Sequence, residues 1–195
     1  MKTINHFEQN RPVHLALRDI YYERAAGLLK DPGRTARQEL ATADYEEILF
    51  FLRTARDHGY FAVRDDGKNE KDGQFCKFIN MLAGNVKAVL SMLNLKHSVE
   101  AADGFFFSFL EANHASVALQ AEEYERRARD IARCMLNTLE LANAAFEGLK
   151  QANHDAFSEF ERGRYEKAAA HHKKLIEQHP DLPKYKKRKG LFNRG

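Results

Sequence analysis

The run from Val117 to Phe160, VALQAEEYERRARDIARCMLNTLELANAAFEGLKQANHDAFSEF, decides the fold. Apolar or small residues recur in it at Val117, Ala121, Tyr124, Ala128, Ile131, Met135, Leu139, Ala142, Phe146, Leu149, Ala152, Ala156 and Phe160. Steps of three and four place them on one stripe of an α-helix. No proline interrupts the run, and an unbroken helix would span about 65 Å at 1.5 Å per residue. The run is therefore either a coiled-coil-like spine or a helix that bends near Gly148 or Asn153. Small residues dominate the stripe, which favours close packing of helix on helix.

The same pattern extends towards the N-terminus. Gln74 to Leu95 carries Phe75, Phe78, Ile79, Leu82, Val86, Val89, Leu90 and Leu93, a core-facing helix. Ser98 or Asp103 is placed to cap the segment that follows it. Arg64 to Gly73 reads as a loop, and Tyr60 to Val63 as an extended connection, because that apolar quartet has no partner strand. Gly59 reads as the stop of a helical stretch from about Thr35 to His58. Its stripe is Ile48, Leu49, Phe51, Leu52 and Ala55, with capping-box spacing at Asp44 and Glu47. Val13 to Lys30 places Val13, Leu17, Ile20, Tyr21, Leu28 and Leu29 together, and Asp31-Pro32-Gly33 ends it. The expectation is an all-α fold, a helical bundle of about five or six helices with a long central helix and a C-terminal helical hairpin. Residues 1–180 form a single helical domain, and residues 181–195 a basic flexible tail.

Composition narrows the function classes. The 195 residues are 44% hydrophobic and 30% charged, which is the soluble globular range. Met1 to Asn10 has no apolar core of secretory type. No stretch approaches the roughly 18 uncharged apolar residues of a membrane span. Cys76 and Cys134 lie far apart and outside any CxxC arrangement, as expected of buried thiols in a reducing, cytoplasmic compartment. The net charge of +3 is unevenly divided: the last fifteen residues hold six Lys/Arg against one Asp, while the remainder holds 25 against 27 Asp/Glu. The high isoelectric point belongs to the tail.

Two segments are candidate interaction sites. Gly104 to Leu110 packs four phenylalanines into five positions, and a helix with that spacing turns aromatic rings to more than one side. Either all sides of this segment are buried in a core helix or one side meets another protein; taken as the latter, Phe105, Phe106 and Phe109 are interface residues, and with the small-residue spine they imply a homodimer. In the tail, Lys184, Lys186, Lys187, Arg188 and Lys189 are suited to electrostatic attachment to the phosphates of nucleic acid, with Tyr185 and Phe192 available for stacking.

Chemical motifs are sparse. Arg53-x4-His58 and Arg164-x6-His171 match the Arg-x(4–6)-His pattern of HEPN-type ribonucleases, small dimeric helical bundles that they resemble in class. The resemblance implies an arginine on the scissile phosphate and a histidine moving a proton, without metal. Glu111-x-x-His114 has the spacing that di-iron bundles use, but its echo, Gln151-x-x-His154, has an amide where a carboxylate is needed. No phosphate-cradling glycine loop, Gly-x-Ser-x-Gly or His-Glu-x-x-His occurs, so no cofactor or metal centre is expected.

Near the C-terminus, Gly163, Tyr165, Ala168, Leu175 and Pro180 resemble the second half of a tetratricopeptide repeat, over residues 149–180. Glycine would allow the reversal, Tyr165 and Ala168 would pack on the preceding helix, and Pro180 would end the hairpin. Ala152, Asp155, Glu159 and His172 depart from the repeat's usual apolar and aromatic positions. The resemblance implies a protein-binding element. An adaptor or regulator is the leading reading, nucleic-acid association is second, and a HEPN-like ribonuclease is the enzymatic alternative.

Overall fold

The computed structural model describes residues 6–30, 42–63, 70–106 and 111–180, and those residues build five helices with no strand among them. They are α1 (His6–Lys30), α2 (Thr42–Val63), α3 (Glu70–Phe106), α4 (Glu111–Ala156) and α5 (Glu159–Gln178). The fold is an all-α bundle, as its periodicity requires.

The long helix α4 runs through Gly148 and Asn153 without a break for 46 residues, about 69 Å. From Ala121 to Leu149 every seventh residue is buried: Ala121, Ala128, Met135, Ala142 and Leu149. That heptad seam is the one a coiled coil uses, and α4 packs on α3. The break comes at Phe157 and Ser158. Ser158 is extended, its side chain accepts from the Glu161 N–H, and the Glu161 carboxylate accepts from the Ser158 N–H at 2.9 Å. This reciprocal cap starts α5. Gly163 consequently lies inside α5 and does not make the reversal. Ala152, Ala156 and Phe160 depart from the expected buried stripe: Ala152 and Ala156 are exposed, and so is Phe160 beyond the break.

Helix α3 is longer than its apolar pattern. It passes Ser98 and Asp103, and Ser98 Oγ donates to the Asn94 carbonyl one turn back, so it caps nothing. At the other end, Glu70 to Gly73, a loop by its sequence, is the first turn of α3, because Asp72 is drawn into the interior by Arg18. Residues 64–69 of that expected loop lie outside the described residues. The segment Glu70–Ala101 is apolar and long enough to cross a membrane by length and composition alone. Its Phe75, Ile79, Leu82, Val86 and Val89 are instead the middle of the bundle core.

Helix α2 continues past Gly59 to Val63, so Tyr60 to Val63 is helical and not the extended connection its composition suggests. The glycine serves tertiary packing. A Cβ at Gly59 would stand 2.7 Å from Cys76 Sγ on α3 and 3.3 Å from Arg18 Cδ on α1. No side chain fits where those three helices converge.

Side-chain pairs give the topology. Arg24–Glu47 and His14–His58 run α1 against α2, and Thr42–His97 at one end with Gly59–Cys76 at the other run α2 against α3. Lys96–Glu125, Asn85–Thr138 and Asp72–Asn153 run α3 against α4. The chain thus goes up, down, up, down. Helix α5 then lies on α1 and runs in the same direction, with Arg164 at Asn10, Tyr165 at Asp19 and His172 at Tyr21. Contact between α1 and α4 is slight. Tyr22, Phe75 and Phe146 join them through α3, with ring centroids 4.8 to 5.3 Å apart. Such aromatic pairs add about 0.5–1.5 kcal/mol each beyond area burial.

Gly59→Ala tests the close approach. Overpacking against Cys76 should cost about 1–3 kcal/mol, outweighing the roughly 0.5–1 kcal/mol that alanine gains in a helix. In a Cys76→Ala background the loss should shrink or reverse in urea unfolding. Equal losses in both backgrounds would remove the thiol contact as the cause.

Candidate functional site

Arg18, on α1, is completely buried. A guanidinium cannot shed its proton, so it must find carboxylates. Its Nε donates to Asp19 at 2.7 Å and its Nη1 to Asp72 at 2.6 Å. Asn153 from α4 donates to the same Asp72 oxygen at 3.3 Å, and Arg11 stands 3.6 Å from the other. Tyr165 from α5 donates to Asp19 at 2.7 Å. The Arg18 guanidinium also lies over the Phe75 ring, 5.2 Å from its centroid. Burial works against the Arg18 charge, but Asp19 and Asp72 more than offset it and hold its pKa above the ordinary arginine value. Two arginines and two aspartates balance. The junction is a structural pin in which Arg18 Nε and Nη1 are bonded and only its Nη2 is buried with no hydrogen-bond partner among the described residues. Cys76 beside it is no nucleophile, since burial pushes its thiol up to about 11.

A second cluster sits one turn away on α1. His14 and His58 meet Nδ1 to Nδ1 at 3.0 Å, with stacked rings 5.3 Å apart. Phe61 is 5.4 Å from His14, and Tyr21 lies nearly parallel to His58 at 6.4 Å. His172 of α5 approaches the same Tyr21 at 6.1 Å, and His171 meets His172 edge-on at 5.2 Å. Burial lowers the His14 pKa, and burial together with His171 lowers that of His172. His172 Nδ1 is buried with no hydrogen-bond partner among the described residues. Four of the nine histidines converge here.

The expected site residues fall differently. Phe105 and Phe106 are the last two residues of α3. Phe109 and the tail residues Lys184, Lys186, Lys187, Arg188 and Lys189 lie outside the described residues. Arg53 is exposed on α2 and about 140° around the helix from His58. His58 pairs with His14 instead. Arg164 donates to Asn10 at 3.0 Å and stacks on Phe160, while His171, two turns on, is exposed. Glu111 and His114 are in the first turns of α4, and nothing is described of their side chains. Gln151 donates to Asp155. Among the described residues no group of three or more His, Cys, Asp or Glu could hold a metal ion. Cys76 and Cys134 are both free, but only Cys76 is buried, so the expectation of two buried thiols is half corrected.

Motif spacing points to neither the ionic junction nor the histidine cluster. A weaker signal exists for both. His14 and Arg18 lie among Val13, Leu17, Ile20 and Tyr21, so a polar residue interrupts an apolar stripe twice at a spacing of four.

Comparisons with protein-family models, with curated proteins and with solved structures found no match for this chain.

Removing one partner of a buried pair costs far more than the pair contributes. Asp72→Ala should therefore lower the unfolding free energy by about 3–5 kcal/mol. Tyr165→Phe, which deletes one hydrogen bond to a charged acceptor, should cost about 1.5–3 kcal/mol. Both are read by urea unfolding. An Asp72→Ala loss below about 1 kcal/mol would mean that Asp19 alone compensates Arg18.

Proposed function

We propose that this protein is an interaction module, an adaptor or regulator, that presents the far end of the α3–α4 hairpin to a partner protein and to a second copy of itself. One observation carries the reading. The first turn of α2 reaches only His97, through Thr42 at 3.3 Å, while α3 continues to Phe106 and α4 returns from Glu111. The hairpin therefore outruns α2 by about two turns. Towards that projection Leu95 is 42% exposed and Leu119 is 66% exposed, and Phe105 and Phe106 end α3 there. Leu136 and Leu141 add exposed apolar surface along α4. Single exposed leucines are ordinary, but Leu119 lies beyond the level of α2 with Leu95 just below it, on a hairpin whose α3 ends in phenylalanines, and that combination suits a docking element.

Other features fit the same role. The tetratricopeptide-like positions Tyr165 and Ala168 on α5 suit a protein-binding helix pair. The basic residues Lys184 to Lys189 would add salt-sensitive contact with phosphates, the nucleic-acid reading. Two free thiols, one of them exposed, suit a reducing, cytoplasmic setting. The HEPN-like ribonuclease has less support, because Arg53 and His58 diverge around α2 and Arg164 is engaged by Asn10.

Light scattering at micromolar concentration should report a dimer. Phe106→Glu and Leu119→Glu should each convert it to a monomer of unchanged helicity, because a charge cannot be buried unpaired in the interface. Deleting residues 183–195 should leave both the dimer and the melting temperature in place. A folded wild-type monomer at high concentration would refute the self-association. Metal-free cleavage of RNA that His58→Ala abolishes would replace the module by the ribonuclease.

A further inference from the structure

We propose that two copies of this chain pair antiparallel along the outer face of α4, with the Arg126–Arg133 half of each helix set against the Glu140–Glu147 half of the other. The inference rests on the self-association above and gives the second copy its place.

Helix α4 carries two heptad seams on opposite sides. The seam from Ala121 to Leu149 is buried in the bundle. On the other side Cys134, Asn137, Leu141, Ala144, Gly148 and Gln151 follow steps of three and four, and each is exposed. Asn137, Leu141 and Ala144 each stand about 200° around the helix from a buried residue two positions back, Met135, Leu139 and Ala142. No charged residue interrupts the outer seam, and its Leu141 is 58% exposed. That spacing is what a helix presents to a second helix, and small side chains let the two backbones approach closely.

The flank of the seam sets the orientation. Arg126, Arg133, Glu140 and Glu147 recur beside it every seven residues, all exposed, and the ladder changes sign once. In an antiparallel pair this flank faces its own equivalent, so the cationic half of one copy meets the anionic half of the other. In a parallel pair it faces Ile131, Thr138, Ala145 and Ala152, which carry no charge. The arginines hold Glu123 and Asp130 of their own helix in exposed pairs that contribute little and can be exchanged. Glu140 and Glu147 form no hydrogen bond or ion pair among the described residues, although the charge of Glu147 acts on Tyr22 and Lys150.

The uncharged layers set the register. Asn137 against Leu141 and Cys134 against Ala144 of the second copy place the two-fold axis at the level of Leu139. Arg133 then lies within about 3 Å of the second copy's Glu147 along the axis. Glu140 approaches its own symmetry mate, with an Arg133 on either side of the two. The same register sets Leu119 beside the corner where α4 of the second copy ends and α5 begins. Phe160 stands at that corner, and it and Leu119, 74% and 66% exposed, are the most exposed large apolar side chains among the described residues. The hairpin end of each copy thus finds apolar surface on the other.

Sedimentation velocity of the full chain at micromolar concentrations measures the dimer. Arg133→Glu and Glu147→Arg should each raise its dissociation constant about tenfold, and the double variant should recover most of the loss, with helicity unchanged throughout. Oxidation reads the orientation. Ala144→Cys should give a dimer linked through Cys134, whereas wild-type protein should not link, because Cys134 lies about 15 Å along the axis from its own symmetry mate. A wild-type dimer linked through Cys134 itself would overturn the antiparallel pairing. So would a dimer that neither charge reversal weakens and Ala144→Cys does not link; if Phe106→Glu still breaks that dimer, the hairpin-end contact stands without this one. A wild-type monomer at high concentration removes the self-association and this pairing with it, and leaves the docking of a partner protein in place.

Discussion

A buried, permanently charged arginine is the constraint on which this bundle rests. Taking a guanidinium out of water costs several kcal/mol unless carboxylates and hydrogen-bond acceptors surround it. Every helix answers that demand at Arg18. Helix α1 supplies Asp19, α3 supplies Asp72, α4 reaches Asp72 through Asn153, and α5 reaches Asp19 through Tyr165. Helix α2 contributes space, at Gly59, where the aliphatic part of Arg18 passes. A seam of alanines such as Ala121, Ala128 and Ala142 packs almost as well one turn up or down. The polar junction does not tolerate that slip, since a shift of about 5.4 Å would strip Asp72 from Arg18. Apolar burial supplies the stability and the ionic pin selects the register.

Helix identity is legible in the sequence because periodicity is local. Spacing alone places Phe75, Ile79, Leu82, Val86 and Val89 on a buried stripe, and all are in the core. What is illegible depends on partners distant in sequence. Gly59 has the look of a helix stop, and only its proximity to Cys76 explains why the helix continues through it. Glu70 to Gly73 is polar and reads as loop until Asp72 is seen bonded to Arg18, 54 residues earlier. The break after Ala156 has a local signal, because Ser158-x-x-Glu161 is capping-box spacing, but the apolar stripe continues across it to Phe160 and masks it. The candidate site is hidden for a different reason. Charged and imidazole side chains on a helix default to a solvated face, and neither Arg18 nor His14 carries a local sign of burial beyond its place in an apolar stripe.

The two polar clusters on α1 differ in how their charge is balanced. Around Arg18, opposite charges face one another through hydrogen bonds, although burial raises the Asp19 pKa and Arg18 Nη2 has no hydrogen-bond partner among the described residues. Around Tyr21, imidazoles face one another from three helices, and the nearby carboxylates of Asp19 and Asp57 are held by arginines. The first cluster joins the bundle and the second lies where the last helix rests on it.

The direction of α5 has a consequence for the molecule as a whole. Because it runs parallel to α1 and α3, its last residue, Gln178, comes out towards the end where α3 finishes and α4 begins. The +5 charge of residues 181–195 therefore starts from the same pole as the phenylalanines of the hairpin. The start of α3, where Asp72 meets Arg18, lies at the other end of that helix, so the charge of the core and the charge of the C-terminal residues are set apart along the bundle.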